Sequence, residues 1–138
     1  MKIFRRYILP DFKPLFISII FVLMAIPSCS RVKSLDPAEL SELISSDNDN
    51  LLIFDLRSVN VFTDGHLKGA QNIPFNEDTF SERITSIGNN KKSAVFYCGR
   101  GIKTEKAIPI IEKSSFVKIY VLKGGFEAWR TKGLEIAH

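Results

Sequence analysis

Two short, continuous apolar runs limit the folds open to this chain more than any other feature. They cover residues 51–54 and 94–97, and they lead directly into Asp55 and Cys98. Apolar runs of strand length without alternating polar residues are typical of parallel strands that are buried on both faces. The sequence therefore predicts an α/β domain whose sheet is covered on both sides.

Helix and strand signals alternate along the chain from Ser34 onwards, which is the order expected of a parallel sheet with crossover helices. Asp36, Pro37 and Glu39 form a helix start, with a capping residue, a proline in the first turn and an acid at the third helical position. The predicted helices are residues 37–44, 59–64 (a short turn), 77–87, 102–113 and one ending near 129; the predicted strands are 51–54, 72–74, 94–97 and 117–122.

The first 29 residues are predicted to be a targeting leader, and residues 30–138 the folded domain. A basic start is followed by the apolar run 15–26, as in a secretory signal. A helix over this run spans about 18 Å, less than the roughly 30 Å hydrocarbon core of a membrane. Removal by a signal peptidase is therefore favoured, and an uncleaved anchor remains the alternative.

Cys29 follows the apolar run, and its setting resembles the lipobox of bacterial lipoproteins. Ile26 lies three residues before it and Ser28 one residue before it, although Pro27 is atypical at the middle position. We expect lipidation of Cys29 and a lipid-anchored protein exported to the bacterial envelope or periplasm. The alternatives are conventional cleavage near residues 28–30 and an uncleaved segment.

The net charge of +4 comes mostly from the leader, in which Lys2, Arg5, Arg6 and Lys13 stand against Asp11. Removing this +3 from +4 leaves +1 for residues 31–138. Nucleic-acid binding depends on a clustered basic face. We therefore expect no nucleic-acid partner and membrane contact only through the anchor.

The loop that begins at Cys98 predicts a reactive thiolate. Gly99 and Gly101 allow the backbone to curl, so that successive N–H groups converge beside the start of the next helix. Such an arrangement stabilises an anion, and Arg100 and Lys103 add cations. The alternative is a small buried cysteine that merely ends a strand.

Four segments, in this order, resemble the single-domain rhodaneses over about residues 34–134. The resemblance implies a three-layer fold of about five mostly parallel strands with helices on both faces. It also implies a sulfurtransferase, in which the cysteine takes a sulfane sulfur from a donor such as thiosulfate and passes it to cyanide or a thiol. The segments are Asp55-Leu56-Arg57, residues 65–74, Cys98 with Gly101, and residues 122–129.

The same resemblance assigns roles to individual residues. Cys98 is the nucleophile and persulfide carrier, and Lys103 stands where relatives often have arginine. Asp55 and Arg57 are candidates for substrate binding, with a scaffold ion pair as the alternative. Backbone groups of the loop form the anion cradle: Gly99, Arg100, Gly101, Ile102 and Lys103.

Other positions refine this hypothesis. Val61 departs from the family pattern, because relatives commonly carry Glu or Arg there. The missing charge weakens the prediction that thiosulfate is the natural donor. Trp129 and Phe126 are expected to pack in the core, and His66 is expected to have a structural role. We expect no cofactor, no metal and a monomer.

Two rival functions remain open. Cysteine phosphatases have arginine six residues after the cysteine, but Thr104 occupies that position here. This count favours sulfur chemistry over phosphate chemistry. The second rival is a non-catalytic module that binds a partner or senses redox state, since exposed thiolates also suit redox sensing.

Overall fold

The computed structural model describes residues 31–46, 49–87 and 91–138. Its strands and helices alternate over the whole of that part of the chain. The strands are β1 (Val32–Leu35), β2 (Leu51–Asp55), β3 (Ala70–Asn72), β4 (Ser93–Tyr97) and β5 (Ile119–Leu122). The helices are α1 (Pro37–Ser46), α2 (Val59–Thr63), α3 (Phe80–Ile87), α4 (Ile102–Ile111) and α5 (Gly125–Thr131).

The five strands form one sheet in the order β1-β5-β4-β2-β3, and every pairing is parallel. Asp55 pairs in register with Tyr97 of β4 and with Asn72 of β3. The carboxyl ends of the strands therefore meet at one edge, where open α/β sheets form their sites. Cys98 directly follows Tyr97 at this edge.

Helices cover both faces of the sheet and enclose two apolar clusters. On one face α3 and α4 pack against the central strands, with Phe54, Phe80, Phe96, Ile111 and Phe116 fully or almost fully buried. On the other face α1 and α5 do the same; the cluster there includes Leu40, Ile53, Leu67, Val95 and Trp129. The predicted α/β fold with five parallel strands between helices is thus confirmed.

The differences from the predicted elements have local causes. Strand β1 was not predicted, because only Leu35 of its four residues is buried and no apolar run marks it. Helix α3 begins at Phe80 instead of residue 77, since the Asn76 side chain accepts the N–H groups of Asp78 and Thr79 in a turn. The other ends agree with the prediction or shift by one or two residues.

The predicted leader and Cys29 lie outside the described residues. Across residues 31–46, 49–87 and 91–138, no helix is long and apolar enough to cross a membrane.

Candidate active site

Cys98 lies where β4 ends and the loop to α4 begins, and its side chain is almost covered, with 2% of the residue exposed. The N–H of Gly101 donates to the Cys98 Sγ at 3.2 Å. Gly101 has φ of 101°, a left-handed conformation that favours glycine. The sulfur therefore accepts one backbone hydrogen bond at the amino end of α4, from the second glycine of the loop.

Helix α5 holds the cysteine loop from the other side. The N–H groups of Phe126 and Glu127 donate to the carbonyl oxygens of Cys98 and Gly99, at 2.8 and 3.0 Å. Gly125 makes this approach possible: a Cβ there would lie 2.6 Å from the Gly99 oxygen and closer still to that of Cys98. Its φ of +64° also favours glycine.

Asp55 and Arg57 form a buried ion pair beneath the loop. The Arg57 Nη2 lies 2.5 Å from the Asp55 Oδ2, and Nε lies 2.9 Å from the same oxygen. Arg57 also donates to the carbonyl of Gly65 at 2.6 Å and stacks on the ring of Phe126, 3.9 Å from its centroid. This geometry favours the scaffold role for Asp55, which is fully buried.

Tyr97 completes the buried polar group under Cys98. Its hydroxyl accepts the N–H of Leu67 at 3.1 Å. Burial first, and then the charge of Asp55, raises the pKa of the Tyr97 phenol well above its ordinary value. The phenol is therefore a neutral part of the scaffold.

An open cavity of about 390 Å³ gives access to Cys98. Val61 and Ile102 form exposed apolar parts of its rim. The structure brings most of the predicted site residues together here, while Asp55 is buried below them and Gly101 is hydrogen-bonded to the sulfur. The predicted site residues that line the cavity are Arg57, Cys98, Gly99, Arg100, Ile102 and Lys103.

A second cavity, of about 470 Å³, adjoins the first. Sequence reasoning missed it, because its walls come from segments distant in the chain. Residues 122–129, which carry part of the family resemblance and include the start of α5, were the one sequence signal for this wall. The lining residues added here are Asp64, Gly65, Phe126, Arg130, Ile136 and His138.

Thr104 lies away from the cysteine. It is buried on α4 and lines a separate cavity of about 100 Å³. Its hydroxyl has no hydrogen-bond partner among the described residues. Cysteine phosphatases bind phosphate with an arginine at this position. Here the position lies outside the cavity of Cys98.

The remaining predictions concern supporting residues. Trp129 belongs to the core as predicted, and Phe126 packs against the same cluster while also lining the second cavity. His66 pairs with Ala137 through two backbone hydrogen bonds of 2.9 Å, and its ring stacks on Phe62.

No group of three or more His, Cys, Asp or Glu residues suited to a metal occurs within the described ranges.

Comparison with known proteins gives a family match over most of the chain. The family model described as "Rhodanese-like domain" matches residues 36–132. The uncharacterized protein YqhL of Bacillus subtilis is 34% identical over 80 residues, which span 58% of this chain and 61% of that protein. The tRNA uridine(34) hydroxylase of Cytophaga hutchinsonii is 35% identical over 101 residues, covering 72% of this chain and 32% of that protein.

Solved structures show the same fold. The Alr3790 protein from Anabaena superposes with a TM-score of 0.65 at 23% identity, over 75% of this chain and 81% of that one. A thiosulfate sulfurtransferase from Pseudomonas aeruginosa gives 0.63 at 19% identity, over 76% of this chain and 19% of that one. At these identities the likeness is one of fold alone.

Proposed function

Since this chain belongs to the family of rhodanese-like domains, we propose that it is a sulfurtransferase. It moves a sulfane sulfur from a donor such as thiosulfate to a thiophilic acceptor, cyanide or a thiol, through a persulfide on Cys98. The observation that carries this proposal is the hydrogen bond from the Gly101 N–H to the Cys98 Sγ, at the amino end of α4 and at the base of an open cavity.

The first half-reaction forms the persulfide. The Cys98 thiolate attacks the outer sulfur of thiosulfate, the S–S bond of the donor breaks, and sulfite leaves with the bonding electron pair. Backbone N–H groups at the start of a helix stabilise negative charge. Arg100 and Lys103 on the cavity wall attract the anionic donor.

The second half-reaction returns the free enzyme. Cyanide or an acceptor thiolate attacks the outer sulfur of the persulfide, and the bond to the Cys98 Sγ breaks with its electron pair going to Sγ. The product is thiocyanate or an organic persulfide. No outside oxidant or reductant takes part, and no cofactor is required.

Steady-state kinetics test this function. Thiocyanate formation should follow ping-pong kinetics in thiosulfate and cyanide, because the two substrates act in separate half-reactions. Cys98→Ser should abolish the reaction while the circular dichroism spectrum remains that of the folded protein. A wild-type rate equal to that of Cys98→Ser would overturn the proposal.

The low exposure of Cys98 favours one second candidate, a non-catalytic module that binds a partner. Redox sensing, the other form of this candidate, would need oxidant to reach the thiol through the cavity. A sensor would form a sulfenic acid with peroxide and give no thiocyanate with any donor. Trapping of the sulfenic acid with dimedone, run in parallel with the thiocyanate assay, separates the two functions.

The full-length protein is further proposed to be exported to the bacterial envelope as a lipid-anchored protein, on the basis of the sequence around Ile26 and Cys29. Metabolic labelling with a tagged fatty acid should mark the wild-type protein and leave Cys29→Ser unmarked. Equal labelling of both proteins would overturn the lipid anchor.

A further inference from the structure

The edge of the sheet at which the strands begin lies opposite to Cys98 and carries several cations. The N–H of Ile119 donates to the carbonyl of Arg31 at 3.1 Å, and the N–H of Ala94 donates to that of Lys118 at 2.9 Å. The starts of β1, β4 and β5 therefore lie side by side, because all the strands are parallel. The residues that precede these strands share one surface.

Arg31 joins the end of α4 to this surface. Its guanidinium donates to the carbonyl oxygens of Glu112 and Ser114, at 3.2 Å each, and also to that of Phe116. The residue between the first two, Lys113, is thereby placed beside the strand starts. We call this surface the basic edge, and its cations are Arg31, Lys91, Lys92, Lys113 and Lys118.

Few carboxylates offset the charge of the basic edge. The segments that form it contain five cations against the carboxylates of Asp49 and Glu112. Residues 31–138 as a whole have a net charge of only +1, so the rest of the domain is net negative. The expectation of membrane contact only through the anchor used this net value, which does not report where the charges lie. The segments are 31–32, 49–50, 91–92 and 112–118.

An apolar side chain is exposed among these cations. Val117 is 57% exposed and precedes Lys118, and its N–H donates to the carbonyl of Lys92 at 3.0 Å. At the surface of an anionic bilayer, apolar side chains enter the headgroup region while neighbouring cations meet the phosphates. The basic edge has both kinds of group.

The course of the chain favours a membrane over other anionic partners. Cys29 precedes Arg31 by two residues, and the apolar run 15–26 ends five residues before it. Both anchors considered above, a lipid on Cys29 and an uncleaved run, would therefore hold the basic edge next to the bilayer. A single lipid chain binds a membrane only weakly, and a polybasic patch supplies the second signal that stable attachment needs.

We propose that the basic edge docks on a membrane surface that contains anionic lipids, so that Cys98 faces away from the bilayer. The five residues of β4 separate the two edges by about 16 Å, which exceeds the screening length of about 8 Å at physiological salt. At the edge of Cys98, Arg100 and Lys123 also have carboxylate partners, in Glu127 and Asp36. This inference does not rest on the sulfurtransferase function.

Two tryptophan variants of the full chain test this orientation. Val117→Trp and Ile102→Trp change residues of nearly equal exposure, 57% and 58%, at opposite edges. The one native tryptophan, Trp129, is buried and supplies a constant background. On vesicles of phosphatidylcholine and phosphatidylglycerol in equal parts, the emission of Val117→Trp should shift to shorter wavelength and that of Ile102→Trp should not. High salt should abolish the shift. Equal shifts for the two variants would overturn the proposal.

Charge variants in the Val117→Trp background test the position of the cations. Lys113→Gln/Lys118→Gln should weaken docking about fivefold for each lysine. Lys106→Gln/Lys123→Gln removes the same charge outside the basic edge and should leave docking unchanged. Equal weakening by both pairs, or equal shifts on anionic vesicles and on pure phosphatidylcholine, would contradict the proposal. Binding to dissolved polyglutamate as tight as to anionic vesicles would assign the edge to acidic proteins instead and overturn the membrane docking.

Discussion

The N–H of Phe126 donates a hydrogen bond of 2.8 Å to the carbonyl oxygen of Cys98. The last helix therefore fixes the backbone of the nucleophile, although the two residues are far apart in the chain. The same helix contributes Glu127 to the cavity of Cys98 and to the adjoining second cavity, and Arg130 to the second cavity alone. Substitutions in α5 should consequently alter the reactivity of Cys98.

Gly125→Ala should destabilise the protein and displace the cysteine loop, because the new Cβ would clash with the carbonyls of Cys98 and Gly99. Gly133→Ala is the matched control, since Gly133 has a similar positive φ of +72° and open space around its Cβ. The control should lose about 1 to 2 kcal/mol from left-handed strain alone. Gly125→Ala should lose more and change the rate of Cys98 alkylation by iodoacetamide. Equal losses of stability with unchanged alkylation would contradict the docking described for α5.

Arg57→Met should lower the free energy of unfolding by about 3 to 5 kcal/mol, because it leaves the buried Asp55 carboxylate without its cation. The double variant Asp55→Asn/Arg57→Met should recover much of this loss, since no buried charge then lacks a partner. Urea unfolding at neutral pH measures both. A double variant less stable than Arg57→Met would show that the pair itself, rather than the unpaired charge, determines the loss.

Tyr97→Phe should alter the stability of the protein in alkaline solution. The folded-state pKa of the Tyr97 phenol is raised by burial and by Asp55. Tyr97 therefore contributes stability that is fully present below its ordinary pKa of about 10 and is lost as pH rises above that value. Between pH 9 and 11 the wild type should lose stability more steeply than Tyr97→Phe, with Tyr120→Phe as the control. Parallel stability curves for the wild type and Tyr97→Phe would contradict the raised pKa.

Val61→Arg should improve the use of thiosulfate. Val61 is 45% exposed and lines both cavities, so an arginine there adds a cation to the cavity of Cys98 without entering the core. KM for thiosulfate should fall by up to about fivefold, the effect of one charge pair in water, and added salt should reduce the gain. Val61→Leu should leave KM unchanged. A similar fall with Val61→Leu would attribute the effect to packing instead of charge.

The sequence was sufficient for the fold because its signals were local. The apolar runs 51–54 and 94–97 became central strands, and the turn of the loop at Gly101 follows from its own residues. Strand β1 had no such signal, since its two central residues are exposed and only Leu35 is buried. It forms through pairing with β5, a long-range contact that periodicity does not report.

The site was predictable only where its residues are close in sequence. Cys98, Gly99, Arg100, Ile102 and Lys103, which are adjacent in the sequence, line the same cavity. The second cavity depends on how α5 and the segment 134–138 pack beside Gly65, where Ile136 lies against the glycine. That packing also places Glu127 and Arg130 on the wall of the second cavity, which no local pattern indicates.

The most direct test of the persulfide is the intact mass of the folded domain after incubation with thiosulfate. Wild-type protein should gain the mass of one sulfur atom on Cys98 and lose it again on addition of cyanide, with thiocyanate released in equal amount. Cys98→Ser should show no change in mass. Wild-type protein that remains at its original mass, with no thiocyanate formed, would contradict the account.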